Sequence, residues 1–164
     1  LAVQEMPVNF EHLVEVNDFA DPQQDVLTRE ELWFGLLCRA EDARAFLPGL
    51  EACNIVERRD GELVRDLHFG HAIVRDRVSF KAMEWVCFES EANDEHAGGS
   101  LTISIEEPEA GSLFLRFRYR TTLPEGAGSE DGRYAEFVRS AYHQSDVDTV
   151  RVIRMIAASG GLQQ

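Results

Sequence analysis

Basic residues are scarce in this chain: 16 Lys and Arg stand against 30 Asp and Glu, a formal net charge of −14. Binding to phosphates requires cations that displace counterions, so the balance argues against nucleic acid as a partner. It argues equally against an anionic membrane surface. Cysteine is sparse as well. Cys38, Cys53 and Cys87 are odd in number and widely separated, with no CxxC spacing. That pattern speaks against a disulfide framework and against a structural zinc site. Each lies among apolar neighbours and is expected to act as a small buried hydrophobe. No apolar run approaches the roughly 20 residues that span a bilayer. Nor does the N-terminus carry a charged segment followed by an apolar one. A cytoplasmic protein without a membrane partner is the expectation. GxSxG, a phosphate loop and a dinucleotide fingerprint are all missing, so no cofactor is expected.

What is present fits one domain over residues 8–160, preceded by a flexible segment over 1–7. A chain of 164 residues buries about two-thirds of its unfolded surface. "VNFEHLVEV" (Val8–Val16) alternates, placing Val8, Phe10, His12, Val14 and Val16 on one face of a half-buried strand. In "LTREELWFGLLCRAED" Thr28 is followed by Glu31 three residues on, the capping-box spacing that starts a helix. That helix should end before Pro48, with a short helical turn over Ala43–Leu47. The period then switches to two. Strands are predicted over Ala52–Arg58, Leu63–Phe69, Ala72–Phe80, Trp85–Ala92, Leu101–Glu106 and Leu113–Thr121, separated by turn-forming segments. From "SEDGRYAEF" onwards a period of 3.6 returns. Tyr134, Phe137, Val138, Ala141, Ser145, Thr149, Val152 and Ile156 fall along one side of a helix, which "SGG" closes.

A sheet of seven strands with one apolar face needs a cover, and only the last helix is long enough. The predicted class is therefore α+β: a curved seven-stranded antiparallel sheet wrapped around a long C-terminal helix, with two short helices after the first strand. This is the helix-grip arrangement of the START-like, or SRPBCC, superfamily. "FEHLVEVND", "LTREELWFGLLCRAEDARAFLPGLEAC", "GGSLTISIEEP", "LFLRFRYRT" and "DVDTVRVIRMI" together resemble its uncharacterised AtaL-like branch. That branch holds bacterial proteins and fungal relatives encoded near secondary-metabolite genes. The resemblance implies a ligand cavity between sheet and helix. It implies no catalytic residues.

"RDLHFGHAIVRDRV" (Arg65–Val78) raises two questions about sites. A two-residue turn at Phe69-Gly70 would place His68 opposite His71 on the outer, solvated face, with only Asp66 near. Zinc wants three or four ligands, so a solvated histidine pair is expected there and no metal. On the inner face Arg65 would lie diagonal to Asp76, and an ion on that face needs its partner. The pair either pins the strand register or offers the Arg65 guanidinium to a carboxylate, enolate or carbonyl of a bound molecule. On the last strand Arg116, Arg118 and Arg120 share the outer face, where salt bridges to neighbouring carboxylates are expected. Tyr119 points inward and needs a partner. His12 could supply it, and Tyr134, Tyr142 or Ser145 could complete a polar cluster.

Three functions compete. The leading one is a module that binds a small hydrophobic or amphipathic ligand, with His12, Arg65, Asp76, Phe117, Tyr119, Phe10 and Phe88 as cavity residues. The second is an enzyme of the polyketide cyclase or aromatase type with His12 or Tyr119 as acid or base. The third is a protein with a filled core that acts through its surface. A homo-oligomer is left open.

Overall fold

A computed structural model describes residues 6–92, 98–123 and 133–160. Seven strands form one antiparallel sheet: β1 (Met6–Glu15), β2 (Ala52–Arg59), β3 (Glu62–Phe69), β4 (Ala72–Lys81), β5 (Trp85–Ser90), β6 (Gly99–Glu106) and β7 (Phe114–Leu123). Their order is β1-β7-β6-β5-β4-β3-β2. Strands β2 to β7 form a meander, and β1 closes onto β7. Between β1 and β2 lie helix α1 (Arg29–Glu41) and a 3-10 turn over Ala43–Ala45; the long helix α2 (Arg133–Ala158) follows β7. The predicted element order holds throughout, and the sheet curves about α2. Strand β1 starts at Met6, inside the segment expected to be flexible.

Local chemistry explains the boundaries. Thr28 accepts from the backbone of Glu31, whose side chain accepts in return from the backbone of Thr28, so the capping box is complete. Gly160 ends α2 with φ +77° and donates to the Ala157 carbonyl, a left-handed cap that glycine adopts without strain. Buried Asn17 stitches the loop before α1 to the sheet. Its amide donates to the carbonyls of Leu27 and Gly111, and its oxygen accepts from Leu27 N–H.

The core lies between the sheet and the two helices. Leu32 and Leu36 of α1, Ile153 of α2, and Val78, Val86, Ile103, Leu115 and Phe117 of the sheet are wholly buried. The buried side of α2 agrees with the expected stripe in part: Thr149 and Val152 are buried, and Val138 and Ile156 pack against the core. Asp146, Val150 and Ile153 are buried beside them. Phe137, 71% exposed, and Ala141, also exposed, lie off the core face. The side chain of Tyr134 lies outside the described residues.

The β3–β4 register also differs. Phe69 pairs with Ala72, leaving Gly70 and His71 as the turn, so Arg65 lies directly opposite Asp76 and His68 opposite Ile73. The shift from the expected pairing is two residues, and a two-residue shift keeps every side chain on its face. His68 and His71 are consequently not opposite one another. His68 Nε2 lies 3.1 Å from the Asn54 amide, and His71 is exposed in the turn. Strand β2 carries a bulge between Ile55 and Glu57, which leaves Val56 49% exposed. The three cysteines are free and half-buried, not fully buried.

Candidate functional site

The inner face of the sheet carries two polar clusters. In the first, Arg65 is 1% exposed and Asp76 2% exposed. Arg65 Nε and Nη2 donate to the two carboxylate oxygens of Asp76 at 2.8 and 2.6 Å. Its Nη1 donates to the carbonyls of Arg39 and Ala40 at 2.9 and 3.0 Å. The guanidinium thus ties the C-terminal turn of α1 to strands β3 and β4. Such a two-pronged pair tolerates burial because every prong has an acceptor.

The second cluster centres on Asp146 of α2, which is 1% exposed. The Tyr119 hydroxyl donates a hydrogen bond to Asp146 Oδ1. His12 Nδ1 approaches Asp146 Oδ2 to 3.1 Å, but the approach is not aligned for a hydrogen bond, and both atoms stay without one. Burial pushes the Asp146 carboxyl up to about 7, against the opposing pull of the Tyr119 hydrogen bond and Arg39. Burial together with the charges of His143 and Arg139 holds the His12 imidazole below its ordinary value. Burial and the neighbouring Asp146 likewise raise the Tyr119 phenol far above its usual range. Burial therefore favours the neutral form of all three groups. Tyr142 stacks face to face on Tyr119, with ring centres 3.9 Å apart, and its hydroxyl lies 3.0 Å from Thr121 Oγ1.

Between the clusters opens a recess of about 180 Å³. Leu67, Phe88 and Leu101 supply apolar walls; Arg39, Arg65, Asp76, Ser90, Tyr119, Thr121 and Tyr142 supply polar ones. Of the expected cavity residues, Arg65, Asp76, Phe88 and Tyr119 meet here. His12 sits behind Tyr119 against Asp146, while Phe10 and Phe117 belong to the packed core. The reason is phase along the strands: Phe10 and Phe117 point inward, but at levels that the helices cover.

Two polar residues of this region escaped the sequence reading. Arg39 is 5% exposed, with its guanidinium carbon 4.5 Å from the centre of the Phe88 ring. It follows Leu36 by three positions and Leu32 by seven, so the helical period already placed it on the buried side. Asp146 follows Tyr142 by four and precedes Ile153 by seven. A carboxylate in register with an apolar stripe was the available signal. Two arginines of the β7 row, Arg116 and Arg118, are salt-bridged as expected: Arg116 pairs with Glu11 and Glu106, and Arg118 with Glu11. Among the described residues no group of three or more His, Cys, Asp or Glu is arranged to hold a metal ion. No described helix is long and apolar enough to cross a membrane.

The model of the family described as acetylaranotin biosynthesis cluster protein L, or AtaL, matches residues 14–160. The chain belongs to the AtaL family. No functionally curated protein matches it. Among solved structures, the chain is similar to the Zhui aromatase/cyclase from Streptomyces sp. R1128, at 17% identity and a TM-score of 0.64, covering 93% of this chain and 94% of that one. It is also similar to the di-domain ARO/CYC StfQ from the steffimycin biosynthetic pathway, at 12% identity and a TM-score of 0.67. That match covers 94% of this chain and about half (52%) of the larger one. Norcoclaurine synthase from Thalictrum flavum matches at 12% identity with a TM-score of 0.60, covering 96% and 99% of the two chains. At these identities the likeness establishes the helix-grip fold of the chain.

Proposed function

We propose that this AtaL-family protein binds a small amphipathic molecule in the recess between the sheet, the end of α1 and Tyr142 of α2. The observation that carries the reading is the recess itself. It joins an apolar wall of Leu67, Phe88 and Leu101 to converging polar groups on Arg39, Tyr119 and Tyr142, the composition expected of a ligand site. Its volume is below that of a site enclosing a drug-sized molecule. A single ring, or one end of a longer molecule that continues into solvent, is the match in size. The test is native mass spectrometry of freshly purified protein, looking for a co-purified small molecule. Ser90 lines the recess and faces inward from the end of β5. The Ser90→Phe variant fills that space and should purify empty. Retention of the same adduct by the variant would place binding elsewhere.

A second reading is an enzyme of the polyketide cyclase or aromatase type. What supports it is that Tyr119 and His12 converge on one carboxylate, Asp146, whose proton exchanges near neutral pH. A carboxyl so poised suits acid–base work, and Tyr119 brings it to the recess wall. The aromatase/cyclase likeness points the same way. Incubation with a synthetic poly-β-ketone thioester should generate new aromatic absorbance that Tyr119→Phe abolishes. An unchanged spectrum with the unaltered protein would leave binding alone.

A further inference from the structure

We propose that the molecule held in the recess is an organic anion of about one ring, with Arg39 as its counter-ion. The inference rests on the recess being a ligand site and adds the charge of the ligand.

It follows from an unbalanced set of charges. Two guanidiniums, Arg39 and Arg65, approach the same Phe88 ring, with carbon-to-centre distances of 4.5 and 5.2 Å. Arg65 is fully satisfied, because Asp76 takes two of its nitrogens and the α1 carbonyls take the third. Arg39 is not. Its Nε is buried without a hydrogen-bond partner, and among the described residues no carboxylate lies at ion-pair distance from it. The nearby carboxylates do not close the gap: Asp146 Oδ2 has no hydrogen-bond partner, yet it lies beside His12 and beyond ion-pair distance of Arg39. Both oxygens of Asp76 serve Arg65, while those of Asp146 face Tyr119 and His12.

Burial lowers the Arg39 guanidinium only to about 10, so it remains a cation at neutral pH. A buried cation without a partner is costly, and a ring face offsets only part of that cost. Arg39 lines the recess, which gives an anion a route to it. A planar carboxylate, phenolate or enolate would meet the guanidinium through its edge while its ring contacts Phe88, Leu67 and the Tyr119–Tyr142 stack. The volume fits a ring of that size: a buried cavity of about 150 Å³ is known to hold benzene.

Calorimetric titration of the full chain with benzoate and with its neutral isostere benzamide tests this at neutral pH and constant ionic strength. Benzoate should bind about tenfold more tightly or better, the advantage of a charge-assisted hydrogen bond over a neutral one. In Arg39→Met the preference should disappear, the two probes binding equally. Arg39→Lys, which keeps the charge, should retain part of the preference. Equal binding to the unaltered protein, or a preference that survives in Arg39→Met, overturns the anion assignment and leaves the recess as a site for neutral ligands. Failure of both probes to bind overturns the ligand site and this inference with it. The comparison in the unaltered protein needs no variant, so a misfolded Arg39→Met cannot obscure the outcome.

Discussion

One turn of α1 separates two regions built on opposite terms. At Gly35 the two helices are so close that an added Cβ would lie 2.5 Å from one carbon of Ile153 and 2.7 Å from another. At Arg39, four residues on, the same layers part around a recess of about 180 Å³. Around Gly35 the inward residues are Leu32, Leu36, Ile103, Leu115 and Phe117, and apolar groups gain by any contact that excludes water. Around Arg39 the inward residues are Arg39, Arg65, Asp76, Tyr119 and Asp146. Polar groups gain only by contacts of the right geometry, so the layers close where contact suffices and stay open where hydrogen bonds dictate distance. The recess is where the packing rule changes.

The sharpest way to break this comparison is to remove a satisfied charge partner at the open end. Asp76→Ala leaves Arg65 buried and unpaired, so chemical denaturation should show a loss of about 3–5 kcal/mol. A loss no larger than that of an exposed substitution would mean that the pair is not sealed from water.

Asp146 should behave in the opposite sense. Its carboxyl is raised from 3.8 to about 7, so the folded protein holds that proton more tightly than the unfolded chain. Its contribution to stability is fully present below about pH 4 and is lost as pH rises towards 7. Asp146→Asn keeps an acceptor for Tyr119 without the charge, and should gain about 3 kcal/mol at pH 8 while flattening that part of the stability profile. A loss comparable to that of Asp76→Ala would make the two clusters alike and void the contrast.

At the closed end, Gly35→Ala should cost about 2 kcal/mol, because Ile153 presents the branched part of its side chain and has nowhere to move. A neutral result in a thermal melt would show that the helix pair has slack. The smallest effect should come from Ser90→Phe, whose ring enters existing space. A stability change within about 1 kcal/mol is expected, together with loss of whatever the recess binds.

Much of this arrangement was legible in the chain. Alternation along β3 and β4 placed Arg65 and Asp76 together on the inner face, even though the turn lies at Gly70-His71 instead of Phe69-Gly70. The faces survived because the register shifted by two. Thr28 and Glu31 announced the start of α1. Arg39 and Asp146 were also legible in principle, each at helical spacing from buried neighbours, yet a polar residue on an apolar stripe is easily assigned to solvent. Phe137 shows the converse hazard. An aromatic residue assigned to the predicted stripe is exposed, while its neighbour Val138 is the one that packs against the core.

Patterning by itself determined which elements form, their order and which side of each strand turns inward, since these follow from local periods and caps. Only the tertiary structure decided that Tyr119, His12 and Asp146 meet, that Arg39 finds no carboxylate among the described residues, and that a void remains beside Phe88. Those outcomes depend on distances between layers. Such distances come from the summed volumes and hydrogen-bond geometry of residues far apart in the chain, which no local period records.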